Sequence, residues 1–393
     1  MKRIALYIAD KSGVSLHRLI LPHVYLDKGL FEVTYGISNV SDLENYDMLV
    51  FNRLLPDGML EEIREKYPNV KIICDIDDYW VLSTSHNLYN HYQNLDITDR
   101  IKKHIKLADA VITTTPILEK KIKQLNPNVY ILPNSLIPDG EFKPNPTESP
   151  KLRFGIIGGS THYNDVLLMD GIVRQLPTDV LNQIQFVLCG FDKGEINYRN
   201  ELGEFEKKQM PWEQNVWVKM EKILTDNYRT ISPEHAAFLK RYDYGMEMKS
   251  NEAYQRHWTR DIWNYATLYD EIDVLLVPLV DNQFNACKSE LKMIEASVKG
   301  KPCIVSDVNP YKICAISALE KGGGLNPEGN CILVNNQKGS KGWAKAITKM
   351  VRDKQLRDTI TTNIAKLTAD GAKYNLYKVT DDRSEIYKKI LGL

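Results

Sequence analysis

Short apolar runs rich in β-branched residues alternate with amphipathic stretches along most of the chain, and this alternation limits the fold more than any other feature. In the first third the runs are "RIALYIA", "FEVTYGI", "DMLVFNR", "VKIICDID", "AVITTT" and "VYILPN", with helical patterns over 14–28, 57–66, 98–107 and 116–124 between them. Runs that are apolar on both faces suit a parallel sheet covered by helices. The first part therefore reads as a doubly wound α/β domain. The stretch "PDGEFKPNPTESPK" holds four prolines among polar residues and reads as a linker. A second series follows it: "LRFGIIGGS", "IQFVLCGF", "DVLLVPL", "PCIVSD" and "CILVNN". The expected architecture is two Rossmann-like domains, residues 1–145 and 150–375. The second carries a helical, aromatic-rich insertion at about 192–268. In it Trp258, Ile262, Tyr265 and Tyr269 recur at helical spacing, which predicts a buried helix face. The last helix, 376–393, is expected to cross back to the first domain.

Bulk composition removes several function classes. Acidic and basic residues balance at 51 each, so no global field draws the chain to nucleic acid or an acidic membrane, and any basic surface is local. The apolar run in "MKRIALYIAD" is too short for a signal peptide core or a membrane span. The six cysteines form no CxxC pair, and several sit inside apolar runs. A cytoplasmic protein with reduced thiols is the expectation. Neither a Cys/His metal cluster nor a nucleophile elbow occurs, so no metal site is expected.

The segment "FNACKSELKMIEASVKGKPCIVSD" (284–307) poses an electrostatic problem. Read as a helix over 286–299 between two strands, it places Lys288 and Lys292 in the first two turns, where the macrodipole favours anions. An anion docked on the free N–H groups near Lys288 and Ser289 resolves this, because the dipole and both ammonium groups then act on one charge. A diphosphate fits. At helical spacing Lys288, Lys292 and Glu295 share a stripe, and Glu295 is placed to accept hydrogen bonds from a ribose. The alternative is a solvated face with Lys292 and Glu295 as a weak salt bridge. Spacing alone leaves both open.

Phe284, Asn285, Lys288, Ser289, Lys292 and Glu295, followed by Gly300, Pro302 and Ser306, resemble the donor-site motif of retaining, glycogen-synthase-like glycosyltransferases of the GT-B fold. "ILPNSLI" is similar to that group's "PNG" turn, and "FGIIGGSTHYND" to the glycine-rich opening of its second domain. The resemblance implies a two-domain enzyme with an interdomain cleft. It would move a sugar from a nucleotide donor, most often a UDP-sugar, to a hydroxyl with retention and without a required cofactor. It implies donor contacts from Asn285, Ser289 and Glu295, and charge stabilisation by Lys288 and Lys292. One position departs: that group carries two glutamates eight apart, and the residue eight before Glu295 is Cys287.

Gly158, Gly159 and Ser160 form a strand-to-helix turn where small residues let backbone amides approach a phosphate, and His162 follows on the donor side. In the first domain Ser12 and Gly13 open the helix that carries Arg18, and by resemblance this loop faces the phosphates or the acceptor. "CDIDDYW" supplies Asp77 and Asp78 at a strand end, read as base or hydroxyl-orienting groups on the acceptor side. The lysine-rich helices within 100–123 are either solvated faces or contacts to an anionic acceptor. The acceptor classes are polysaccharide, lipid, protein or modified DNA, the last as in phage enzymes acting on hydroxymethylated pyrimidines. A sugar-nucleotide epimerase and a binding module without transfer activity are the alternatives outside transfer.

Overall fold

The computed structural model describes residues 1–84, 86, 88–191, 194–199, 205–243 and 245–393. The chain divides into two compact units. The first comprises Met1–Ile137, Asn282–Ile294 and Leu367–Leu393; the second comprises Pro138–Asp281 and Glu295–Lys366.

In the first unit β1 (Lys2–Tyr7), β2 (Phe31–Tyr35), β3 (Met48–Asn52), β4 (Lys71–Ile76), β5 (Ala110–Thr113) and β6 (Val129–Ile131) form one parallel sheet in the order β2-β1-β3-β4-β5-β6. Strand periodicity sends alternate residues to opposite faces. Ile4, Leu6, Met48, Val50 and Ile73 enter one core, where Val379 and Tyr387 of the helix Leu376–Leu391 cover them. Ala5, Leu49, Phe51, Ile72, Cys74 and Ile76 enter the other, under the helices Met59–Lys66 and Ile97–Leu107. Each fully buried aliphatic side chain contributes about 1.5–3 kcal/mol, which is why these runs show no polar alternation.

The second unit holds β7 (Leu152–Gly159), β8 (Ile184–Phe191), the antiparallel pair β9 (Glu195–Arg199) and β10 (Phe205–Gln209), β11 (Tyr254–Trp258), β12 (Val274–Val277), β13 (Cys303–Ser306) and β14 (Ile332–Val334). Its parallel sheet runs β11-β8-β7-β12-β13-β14. The insertion contributes the helices Val216–Leu224 and Pro233–Arg241 together with β9, β10 and β11. The segment around Trp258 differs from the helical face expected of it: Tyr254–Trp258 is a strand, and Tyr265–Glu271 is a 3-10 helix. The polar residues of β11 are buried with partners, which hid the strand. Arg256 forks onto Glu221 at 2.6 and 2.8 Å, and His257 meets Glu247 at 2.9 Å.

In each sheet the strand order reverses beside the first strand: between β1 and β3 in the first unit, and between β7 and β12 in the second. Ligands of open α/β sheets sit outside the carboxyl ends of the strands at such a point.

Candidate functional site

At the β7/β12 reversal the chain leaves β7 through Gly158, Gly159 and Ser160, and His162 follows in a 3-10 turn. His162 Nδ1 lies 2.9 Å from Asp165 Oδ2, and Asp165 Oδ1 accepts from the Val280 N–H at 2.8 Å. The loop after β12 is thereby tied to the loop after β7. With Nδ1 engaged, Nε2 is the ring nitrogen left to meet a ligand. Gly158 is needed for the imidazole rather than for an unusual backbone: a Cβ there would stand 2.9 Å from His162 Cδ2. Gly158→Ala is expected to push the ring aside, with the melting temperature nearly unchanged; a thermal melt beside the imidazole signals in a proton NMR spectrum checks this. Gly190 at the end of β8 is less forgiving, since its Cβ would fall 1.6 Å from the Gly158 carbonyl oxygen.

The expected helix over 286–299 is broken in the structure. Asn282 caps a single turn, Gln283–Ala286, by accepting from the Asn285 N–H at 2.8 Å. The helix proper is Leu291–Val298, its first bonds received by the Glu290 carbonyl, and Gly300 at φ +62° follows its end. Contacts within the first unit cause the break. Cys287 is buried in that unit's core, Ser289 Oγ accepts from Asn134 Nδ2 at 2.8 Å, and the Tyr374 hydroxyl donates to Glu290. Lys288 and Ser289 therefore lie in a loop ahead of the helix, and Lys292 occupies its first turn. The Lys288 ammonium sits 5.0 Å from the centre of the Phe284 ring, and no carboxylate pairs with it among the described residues. Burial pushes the Cys287 thiol up to about 11, so the sulfur stays protonated and uncharged near neutral pH. Burial also raises the Glu290 carboxyl, a residue that no motif or spacing in the sequence marks.

Glu295 is 1% exposed, and its two carboxylate oxygens accept from the hydroxyls of Tyr265, at 2.6 Å, and Tyr269. Burial first, and the Glu295 charge second, raise both phenols well above their ordinary range. The tyrosines fix the direction of the carboxylate. Close by in charge, Glu141 accepts from the Ala266 N–H at 3.0 Å. Burial pushes its carboxyl up to about 7, the Ala266 hydrogen bond opposing and Glu295 reinforcing the rise. A carboxyl raised on folding binds its proton more tightly in the native state. Its contribution is therefore full below the ordinary glutamate range and is lost as pH rises through about 7. The melting temperature of Glu141→Gln is expected to fall less than that of wild type between about pH 5 and about pH 8.

In the first unit Ser12 caps the turn at Gly13, accepting from the Ser15 N–H at 3.3 Å. Arg18 lies in the π-helical turn Leu16–Ile20 and points inward. It is 1% exposed and forks onto Asp75 at 2.9 and 2.8 Å, with Nη1 on the Leu132 carbonyl and Asn134 Oδ1. At the β1/β3 reversal Arg53, at φ +57°, forks onto Asp77 with two bonds of 2.8 Å and reaches Asp78 at 3.2 Å. Burial alone would raise Asp77; the Arg53 charge and hydrogen bonds from Arg53 and Asn52 outweigh it and hold the carboxyl at about 2. Such a group is a weak proton acceptor near neutral pH, and the pair orients Arg53 instead. Arg53 escaped the sequence reading because a lone arginine after a strand carries no signal.

No family model matches the chain, and no curated protein matches it in sequence. Solved structures do. Anabaena HepE, in complex with UDP and glucose, superposes with a TM-score of 0.61 at 13% identity over 99% of each chain. An α,α-trehalose-phosphate synthase (UDP-forming) from Burkholderia vietnamiensis gives 0.55 at 10% identity over 100% of this chain and 99% of that one. The catalytic domain of Arabidopsis thaliana starch synthase IV, bound to ADP and acarbose, gives 0.53 at 10% identity over 90% and 75%. The chain has the GT-B fold. At these identities the likeness establishes the fold alone.

Within this GT-B chain the lysine-rich helices lose much of their charge to carboxylates of their own unit. Arg100 pairs with Asp57, Lys102 with Asp99, Lys103 with Glu61 and Lys123 with Glu119. A cavity of about 1500 Å3 in the second unit, lined by Leu319, Val334, Lys341 and Lys345 among others, contains none of the candidate residues. Among the described residues no His, Cys, Asp or Glu group is arranged to hold a metal ion, and no helix is long and apolar enough to cross a membrane.

Proposed function

We propose that this protein is a glycosyltransferase that moves a sugar from a nucleoside diphosphate to an acceptor hydroxyl, with UDP as the nucleotide. The observation that carries the reading is the cationic, hydroxyl-bearing approach to the helix Leu291–Val298, where Lys288 and Ser289 precede the helix and Lys292 lies in its first turn. The fold supports it: HepE was solved with UDP and glucose, and starch synthase IV with ADP.

In this reading Lys288, Lys292, the Ser289 hydroxyl and the helix amides stabilise the diphosphate as the bond from the anomeric carbon to its oxygen breaks. The acceptor oxygen forms the new bond to that carbon, and its proton passes to a phosphate oxygen, which gives retention when both occur on one face of the sugar. Gly158, Gly159, Ser160 and His162 serve the donor from the β7 loop, and Asn285 and Glu295 hold the rest of the nucleotide sugar. Ser12, Gly13, Asp77 and Asp78 belong to the acceptor side, the aspartates through Arg53. An anionic acceptor held by the 100–123 lysines draws less support, because many of those charges are already paired. Supplying UDP-glucose with candidate acceptors tests the assignment. Transfer yields UDP and a glycoside; an epimerase turns over the donor without forming a glycoside, and a binding module releases no UDP.

A further inference from the structure

The inference rests on the diphosphate reading of the Lys288–Ser289 loop and concerns what aims that loop. Asp75 is 0% exposed and receives both prongs of the Arg18 fork. Arg18 Nη1 then donates to Asn134 Oδ1 at 3.1 Å. Arginine has no acceptor, so this contact settles which end of the Asn134 amide faces it. The other end, Nδ2, is a donor, and it meets Ser289 Oγ at 2.8 Å. A buried ion pair thus fixes the sense of a hydrogen bond two residues away. With its oxygen accepting from Asn134, the Ser289 hydroxyl directs its own hydrogen away from the Asn134 amide.

We infer that Asn134 is a positioning residue: the Asp75–Arg18 pair locks its amide so that Ser289 presents a hydroxyl hydrogen, rather than a lone pair, to an anionic oxygen. The residue types suit the task. Asp75 holds Arg18 in a bidentate geometry that lysine cannot copy, and the asparagine amide accepts from arginine at one end while donating to serine at the other. Asn134, 4% exposed, lies in the "PNS" stretch after β6, 155 positions before Ser289.

The polarity of the bond separates positioning from packing. Asn134→Asp keeps the shape and adds an acceptor for Arg18, but its carboxylate accepts from Ser289 and turns the serine lone pairs outward beside an added negative charge. Asn134→Ala leaves the serine free to rotate. Calorimetric titration of UDP into wild type, Asn134→Ala, Asn134→Asp and Ser289→Ala, with thermal melts of each, tests the assignment. The expected order of affinity is wild type above Asn134→Ala above Asn134→Asp, with a span of about ten- to a hundredfold. Ser289→Ala should fall near Asn134→Ala, and Ser289→Thr should recover most of the loss. Equal UDP affinity for folded Asn134→Asp and wild type overturns the inference while leaving the donor site standing. Should either Asn134 variant fail to fold, Ser289→Ala binding UDP like wild type overturns it equally. Wild type that binds neither UDP nor GDP removes the donor-site reading and this inference with it.

Discussion

Asp75→Ala is expected to destabilise the chain by about 3–5 kcal/mol, the largest single effect on stability among the substitutions considered. Removing the carboxylate leaves the Arg18 guanidinium at 1% exposure with the Leu132 carbonyl and the Asn134 amide as its remaining hydrogen-bond acceptors. The cost is that of an uncompensated buried charge, not of one lost hydrogen bond. It follows that neutralising both partners should cost less than removing one. Arg18→Met combined with Asp75→Ala is expected to unfold at a higher denaturant midpoint than Asp75→Ala alone, although each change deletes native contacts. Equilibrium urea unfolding of the two variants checks the sign, and a double variant less stable than the single one would show that Arg18 finds other compensation.

Lys288→Ala is expected to lower kcat/KM for sugar transfer by about 10²–10³ with little change in stability. The ammonium has no carboxylate partner among the described residues and rests over the Phe284 ring, a contact worth about 0.5–1 kcal/mol at a partly exposed site. Its removal leaves no buried charge unpaired. A charge held close to the start of a helix but unneutralised by the protein acts fully when a diphosphate develops charge there. Lys299 is the contrasting case. It lies in the second unit with its ammonium 2.9 Å from Asp270 and 3.0 Å from the Lys143 carbonyl, so Lys299→Ala should lower the melting temperature before it alters turnover.

The sheets were legible because their strands are apolar on both faces, a pattern that survives without knowledge of neighbours. β11 was not, since Arg256 and His257 read as surface residues until Glu221 and Glu247 are brought to them from elsewhere in the chain. The same limit governs the candidate site. The spacing of Lys288, Ser289, Lys292 and Glu295 marked the segment, but the break after Cys287 is enforced by partners 155 and 84 positions away, Asn134 and Tyr374. Local propensity over 286–299 favours a continuous helix, and tertiary contacts override it. Arg18 shows the reverse error: an arginine near the start of a helix looks like a ligand group, and only the burial of Asp75 at the end of β4 turns it inward. Glu141 offers no sequence signal at all, because its raised carboxyl comes from burial beside Glu295.

The most direct test of the central claim is calorimetric titration of UDP into the wild-type chain and into Lys288→Ala. Saturable binding to wild type is expected, weakened about tenfold or more by the substitution. An absence of binding to wild type, or equal affinity in the two proteins, would contradict the assignment of the 288–292 segment to a nucleotide diphosphate.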